Sequence, residues 1–365
     1  MRVKMQISAF TGLRGLAAWW VVAFHFRDQL SGVAPAAAAA ILDRGFLAVD
    51  LFFVLSGFVI QLNYGSWFEA RVSRPRLRDF AIARLARIYP LHFFLSILFL
   101  LNPLAIALFS TAKSLGERWD PLAWALSLVL VQNWGFVHTL SWNVPSWSIS
   151  TEAFAYVVFP LASCALPRLV RSRGTAAILA ALLLAATAAL FADTASIGDA
   201  VTSRGLPRCV LEFSLGMLLC RVVALDGPPG RGAAGGMLAL AATLVAAHFF
   251  AGVPDWLTMP AASALIVLAY AGPTAPGAAL LSAALPQWLG MVSYSTYLAH
   301  YFVKDWVGFL MLRPGIPSPA AFAVYMAGTL AASALLYHAV ELPGRRGLRG
   351  LFTPSPKPAL EGERP

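Results

Sequence analysis

Apolar residues in this chain gather into runs too long for the core of a soluble domain. Such segments lie near 12–30, 46–63, 88–110, 121–136, 148–167, 175–192, 207–225, 233–252, 256–272, 287–311 and 320–340. Several approach the ~20 residues that a helix, rising 1.5 Å per residue, needs to cross a hydrocarbon core of about 30 Å. The pattern predicts an all-α fold, a polytopic transmembrane helix bundle. The weakest segment is 121–136, which is short and ends in the polar-aromatic stretch QNWGFVHTLSWNVPSW. It reads as a half-span or re-entrant element buried against protein. An equivalent reading breaks 88–110 at Asn102-Pro103 instead.

Basic residues between the segments give the chain a direction. Arg71, Arg74, Arg76, Arg78, Arg84 and Arg87 cluster between the second and third segments, Arg2 and Lys4 open the chain, and Arg345, Arg346 and Arg349 follow the last segment. The positive-inside rule places all three groups in the cytoplasm, which requires an even number of crossings. Arg168, Arg171 and Arg173 become cytoplasmic only if one segment between 88 and 148 fails to span. About ten membrane spans plus one half-span follow, with both termini cytoplasmic. The transmembrane domain occupies 1–350, and the Pro-rich, charged tail 351–365 is expected to be a disordered cytoplasmic segment. The opening MRVKMQISAF lacks a small-residue cleavage site and reads as a retained start rather than a signal peptide.

Composition agrees, with 59% of residues hydrophobic, 12% charged and a mean hydropathy of +0.71. Soluble domains carry about 25% charged residues. In a soluble protein the net charge of +10 would point to nucleic acid; here the short basic loops account for it, and no nucleic-acid partner is expected. Cys164, Cys209 and Cys220 sit in or beside apolar segments at no metal-ligand spacing, so they read as packing residues. No internal repeat is evident.

The polar residues inside the apolar segments carry the chemistry. In TGLRGLAAWWVVAFHF, Arg14 and His25 stand eleven residues apart. At about 100° per residue that is three turns and roughly 20°, which puts both on one helix face about 16 Å apart. An ionisable group facing lipid costs about 3 kcal/mol or more, so the pair implies a shared polar cavity within a bundle. GFLAVDLFFVLSGFVI, FAIARLARIYPLHFF, SWNVPSWSISTEAFAYVVFP, LGMVSYSTYLAHYF and YHAVELPGRR follow in order.

This ordered series resembles the acyltransferase-3 family of integral membrane acyltransferases, over about residues 9–347. The resemblance implies an O-acyltransferase, an O-acetyltransferase above all, acting on sugars and related hydroxyl-bearing substrates in a bacterial inner membrane. It implies a functional Arg-x10-His pair at Arg14 and His25, functional arginines at Arg84 and Arg87, and a functional glutamate at Glu152. Long family members end in an extracytoplasmic hydrolase-like domain. This chain carries only the membrane part, so its core is expected to complete transfer itself or pass the acyl group on.

The residues fit that chemistry. Moving an acyl group from a thioester to an alcohol needs a base for the hydroxyl proton, and imidazole suits neutral pH. His25 could instead carry the acyl group as a nucleophile, or merely bond a carbonyl at a helix end. Asp50 lies in an apolar run where an unpaired carboxylate is costly, and pairing with Arg14 or His25 would satisfy it. Arg84 and Arg87 share a helix face and could hold the phosphates of coenzyme A, though topology alone would also place arginines there. Glu152, with Trp147 nearby, offers the carboxylate and aromatic rings that commonly hold a sugar; helix capping and an interfacial belt are the plainer readings. Glu341 is expected to pair with Arg345 or Arg346, and His300 to bond a neighbouring helix. Ser56-Gly57 should allow close helix contact.

The expected reaction passes an acyl group from cytoplasmic acyl-coenzyme A, typically acetyl-coenzyme A, to a carbohydrate or lipid-linked glycan such as an exopolysaccharide precursor. No metal or bound cofactor is required. A macrolide or other small molecule is the alternative acceptor. A proton-coupled secondary transporter using His25, Arg14 and Glu152 is the rival from another class, and the missing repeat symmetry weighs against it.

Overall fold

A computed structural model describes residues 7–109, 116–312 and 316–352. The expected disordered tail lies outside the described residues except for Leu351 and Phe352, which close the last helix. In chain order the helices are α1 (Ser8–His25), α2 (Ala36–Leu42), α3 (Ala48–Tyr64), α4 (Arg74–Leu98), α5 (Leu101–Phe109), α6 (Pro121–Leu128), α7 (Trp147–Leu169) and α8 (Arg173–Phe191). They continue as α9 (Val201–Asp226), α10 (Arg231–Ala251), α11 (Asp255–Ala269), α12 (Ala278–Leu281), α13 (Ala284–Met311), α14 (Pro319–Leu336) and α15 (Leu342–Phe352). Among the described residues there is no strand, and the fold is all-α.

Among the described residues, six helical stretches are long and apolar enough to cross a membrane: Ala36–Trp67, Arg74–Leu108, Val144–Leu169, Arg173–Phe191, Arg231–Ala251 and Pro319–Phe352. The long helices α1, α9 and α13 fall outside this set because buried or half-buried charge and imidazole lower their hydropathy. They carry Arg14 and His25, Arg208 and Glu212, and His300, Lys304 and Asp305 respectively. Their polar groups face protein, which is how a bundle tolerates them.

Two glycine contacts set the centre of the bundle. A Cβ on Gly290 of α13 would stand 1.9 Å from the Thr11 carbonyl oxygen of α1, and one on Gly57 of α3 would stand 1.9 Å from the Phe213 carbonyl oxygen of α9. Only glycine allows backbones to meet so closely. The α1–α13 pair is parallel: Ser8 meets Ser282, Arg14 meets Gly290, and His25 meets His300. The α3–α9 pair is parallel as well, with Asp50 on Arg208 and Val54 against Gly216. Phe10 packs on Phe58 while Gly45 lies under Trp20 and Phe24, so α1 and α3 are antiparallel.

The same logic applies to the doubtful segment. Phe53 meets Trp147, Ser56 meets Glu152 and Gly65 meets Ser163, so α7 runs parallel to α3. Tyr294 bonds the Ile88 carbonyl and Phe99 packs on Phe302, so α4 runs with α13, opposite to α3. One reversal therefore separates α4 from α7, and the chain between them makes no net crossing. Within it, α6 has eight residues, about 12 Å at 1.5 Å each. It lies along α4 through His92–Ser127 and Trp124–Ser96 contacts, then the chain folds back onto the first turn of α7, where Leu130 and Asn133 meet Ser150. Leu130 and Trp142 turn it at φ 62° and 52°, the left-handed region that side chains rarely adopt. The α4 helix is interrupted after Leu98, just before Asn102-Pro103.

Candidate active site

Two polar centres occupy the bundle, one at each end of the α1 face that bears Arg14 and His25. The first gathers three guanidinium groups. Arg14 donates through Nη2 to the Gly290 carbonyl at 3.2 Å. Arg84 donates to the Tyr64 hydroxyl at 2.8 Å and lies over the rings of Tyr64 and Tyr156. Arg87 bonds Glu341 and lies 5.2 Å over the Tyr294 ring. Arg14 is within electrostatic reach of Arg87, Glu341 and Glu152.

Glu152 also belongs to this centre. It accepts from Ser56 and, at 2.6 Å, from the Tyr156 hydroxyl. Three arginines face two glutamates, leaving an excess of positive charge, and the buried Nε–H groups of Arg14 and Arg84 have no partner among the described residues. A cluster with surplus cations and spare donors suits an anion. Arg87 takes the glutamate that the sequence assigned to Arg345 or Arg346. Glu341 reaches it from a π-helical turn, Tyr337–Glu341, that re-aims the side chain inward, and Ser295 holds its second oxygen at 2.8 Å.

The second centre is a histidine pair. His25 Nδ1 lies 2.9 Å from the Val21 carbonyl and 3.2 Å from His300 Nε2, while His300 Nδ1 lies 3.2 Å from the Thr296 carbonyl. Carbonyls only accept, so they assign the proton to Nδ1 of each ring. The single His25 Nδ1 proton is then shared between the Val21 carbonyl and His300 Nε2, and His25 Nε2 keeps its lone pair and makes no hydrogen bond among the described residues. His300 is fully buried and His25 half-buried, so the inner ring orients the outer one. A stripe on α13 links the two centres: Tyr294 touches Arg87, Tyr297 bonds Ser148 at 2.8 Å and packs on His300, and Tyr301 packs on His25. Their spacing of three to four residues keeps them on one helix face.

Asp50 pairs with neither Arg14 nor His25. It binds Arg208 at 2.6 and 3.0 Å, and Arg208 also reaches Glu212 at 3.4 Å; all three are buried. The α3–α9 contact brings Arg208 closer to Asp50 than α1 can come. Trp147 packs on Phe53 and faces Gly205 in the core. Arg208, Tyr156, Tyr294 and Tyr297 escaped the sequence reading. The first had a signal, since Arg208 and Glu212 are four residues apart in an apolar run and share a face; the tyrosines look like any interfacial or core ring.

This helical bundle, with its paired imidazoles and its cluster of guanidinium groups, is comparable in make-up to a membrane-embedded group-transfer enzyme. The chain matches the family model of the acyltransferase domain over residues 7–338. It belongs to the acyltransferase-3 family and is a membrane acyltransferase. It is 31% identical to the acyltransferase MdmB of Streptomyces mycarofaciens, across 98% of this chain and 97% of that one. It is 27% identical to the exopolysaccharide production protein ExoZ of Rhizobium meliloti, across 78% of this chain and 85% of that one. It is also 27% identical to the peptidoglycan O-acetyltransferase OatA of Listeria monocytogenes, across 43% of this chain and 24% of that one. No solved structure matches the chain.

Proposed function

We propose that this enzyme transfers an acyl group, typically acetyl, from acyl-coenzyme A to a hydroxyl of a carbohydrate acceptor such as an exopolysaccharide or its lipid-linked precursor. The observation that carries this is the histidine pair, which leaves His25 Nε2 as a base at the opposite end of the α1 face from the Arg14, Arg84 and Arg87 chamber. In a ten-span topology with both termini cytoplasmic, that chamber opens toward the cytoplasm of a bacterial inner membrane. There the guanidinium groups bind the donor phosphates. The pantetheine arm then follows the Tyr294–Tyr297 stripe toward His25.

His25 Nε2 removes the proton of the acceptor hydroxyl as its oxygen bonds the thioester carbonyl carbon. The carbonyl π electrons move to oxygen, giving a tetrahedral oxyanion. Collapse of that oxyanion breaks the carbon–sulfur bond, and the imidazolium returns its proton to the thiolate. The products are an ester and free coenzyme A. Glu152, joined through Tyr156 to Arg84, orients the chamber rather than the acceptor.

Radiolabelled acetyl-coenzyme A, incubated with purified enzyme and an oligosaccharide acceptor, should yield a labelled ester, and His25→Ala should lower its formation at least a thousandfold with the fold intact. A variant that keeps more than a few per cent of the activity would remove His25 from the chemistry. Movement of acceptor across vesicles without any ester would establish the transporter in place of the enzyme.

A further inference from the structure

An open groove of about 220 Å³ lies beside the histidine pair, lined by Asn102 of α5, by Arg118 and Trp119, and by Asp305, Trp306 and Phe309 of α13. Arg118 and Asp305 form a bidentate pair at 2.9 and 2.5 Å. Asn102 donates to Asp305 at 2.7 Å and accepts from the Trp306 indole at 3.0 Å, while the Trp142 carbonyl takes further Arg118 protons at 3.0 and 3.3 Å. Arg118, Asp305 and Asn102 are thus fixed by one another and by Trp142 and Trp306 before anything binds. Capacity remains: a carboxylate offers about four acceptor sites, and Asp305 uses three of them; Asn102 keeps one amide proton. Arg118 and Asp305 both line the groove and remain 30% and 17% exposed.

Tyr301 connects the groove's Arg118 to His25. Its ring centroid lies 5.4 Å from that of His25 and 4.9 Å from the Arg118 guanidinium carbon. A groove of this volume is below the ~300–1,000 Å³ of pockets that enclose whole drug-sized ligands. It suits a single ring of a larger molecule whose remainder stays outside. Flat indoles beside fixed donors and acceptors match a sugar ring, with its apolar C–H faces and its edge of hydroxyls.

We infer that this groove binds one sugar ring of the acceptor, with Trp119 and Trp306 against its faces and Arg118, Asp305 and Asn102 on its hydroxyls. The inference rests on the acyl-transfer reading above and gives the acceptor a place distinct from Glu152. The ring is either a unit of a glycan or the sugar of a glycosylated small molecule, since both offer the same chemistry.

Saturation-transfer NMR on the full chain in detergent reads the groove without any turnover. The probes are methyl hexopyranosides, a glycosylated macrolide and its aglycone. Ring protons of a methyl hexopyranoside or of the macrolide sugar should be saturated by the wild type and equally by His25→Ala. Trp306→Ala should cut that transfer at least fivefold, and Trp306→Phe should restore at least half of it. Should Trp306→Ala fail to fold, the exposed Phe309→Ala should give at least a twofold loss. Saturation of the methyl hexopyranosides identifies a glycan unit, and saturation confined to the macrolide sugar identifies a glycosylated small molecule. The inference is overturned by ring protons that stay unsaturated, by saturation indifferent to Trp306 and Phe309, or by an aglycone bound as well as its glycoside. Ring binding without any ester formation would leave the groove standing and overturn the acyl-transfer reading.

Discussion

Arg84 and Arg87 share a helix face but differ in what their removal does. Arg87 neutralises Glu341, which is 2% exposed, whereas Arg84 bonds a neutral tyrosine hydroxyl. Deleting one partner of a buried ion pair costs about 3–5 kcal/mol, because the other charge is left stranded. Arg87→Gln should therefore lower stability as well as donor binding, and Arg84→Gln should affect donor binding with little loss of stability. A phosphate contact is worth about 1.5–3 kcal/mol, so Arg84→Gln should raise the Michaelis constant for acetyl-coenzyme A roughly ten- to a hundredfold. The double variant Arg87→Gln/Glu341→Gln should do the same without the stability penalty of Arg87→Gln alone. Initial rates at varied donor, paired with thermal melting in detergent, check both. A donor constant unchanged in both variants would leave these arginines with a topological role only.

The elements were legible in the sequence to the extent that their signals were local. Arg14 and His25 lie on one helix, so spacing alone put them on one face, and α6 was too short to span on length alone. What stayed hidden depends on partners distant in sequence: Arg208 is 158 residues from Asp50, Glu341 is 254 from Arg87, and His300 is 275 from His25. The groove joins α5, the turn at Glu117–Trp119 and α13, so no single segment announces it. Helix contact at Ser56-Gly57 was readable in kind, but the second glycine seam, at Gly290, was not. There α1 and α13 touch backbone to backbone, which fixes the register between His25 and His300. Gly290→Ala should cost about 1–3 kcal/mol or more through overpacking, with a lower melting temperature. It should also reduce turnover by separating the two imidazoles. Wild-type melting and turnover in this variant would show that the seam yields freely.

For the whole molecule, a ten-span chain with both termini cytoplasmic is the arrangement to be tested. Introduced cysteines test the sidedness, in a background lacking Cys164, Cys209 and Cys220. Ser196 is a poor site because it bonds Asp255 at 2.5 Å, and Ser172 caps α8. Exposed Ala195, Gly174 and Gly347 serve instead; at Gly347 a Cβ meets nothing within 4 Å. An impermeant thiol reagent on intact cells should label only the cysteine at 195. Labelling at 347 would mean that the molecule is inverted, because Glu341 and Arg14 share one end of the bundle, and the arginine cluster would lose its cytoplasmic assignment. The parallel seam between α1 and α13 has a consequence for biosynthesis. The first helix leaves the ribosome with a charged Arg14 whose structural partner, the Gly290 carbonyl, is 276 residues downstream. Until α13 arrives, α1 is a poor membrane resident, burdened by about 3 kcal/mol for the arginine alone. His25 and His300 therefore meet only after 275 further residues have been made, and under the proposed mechanism a chain released before then is inert.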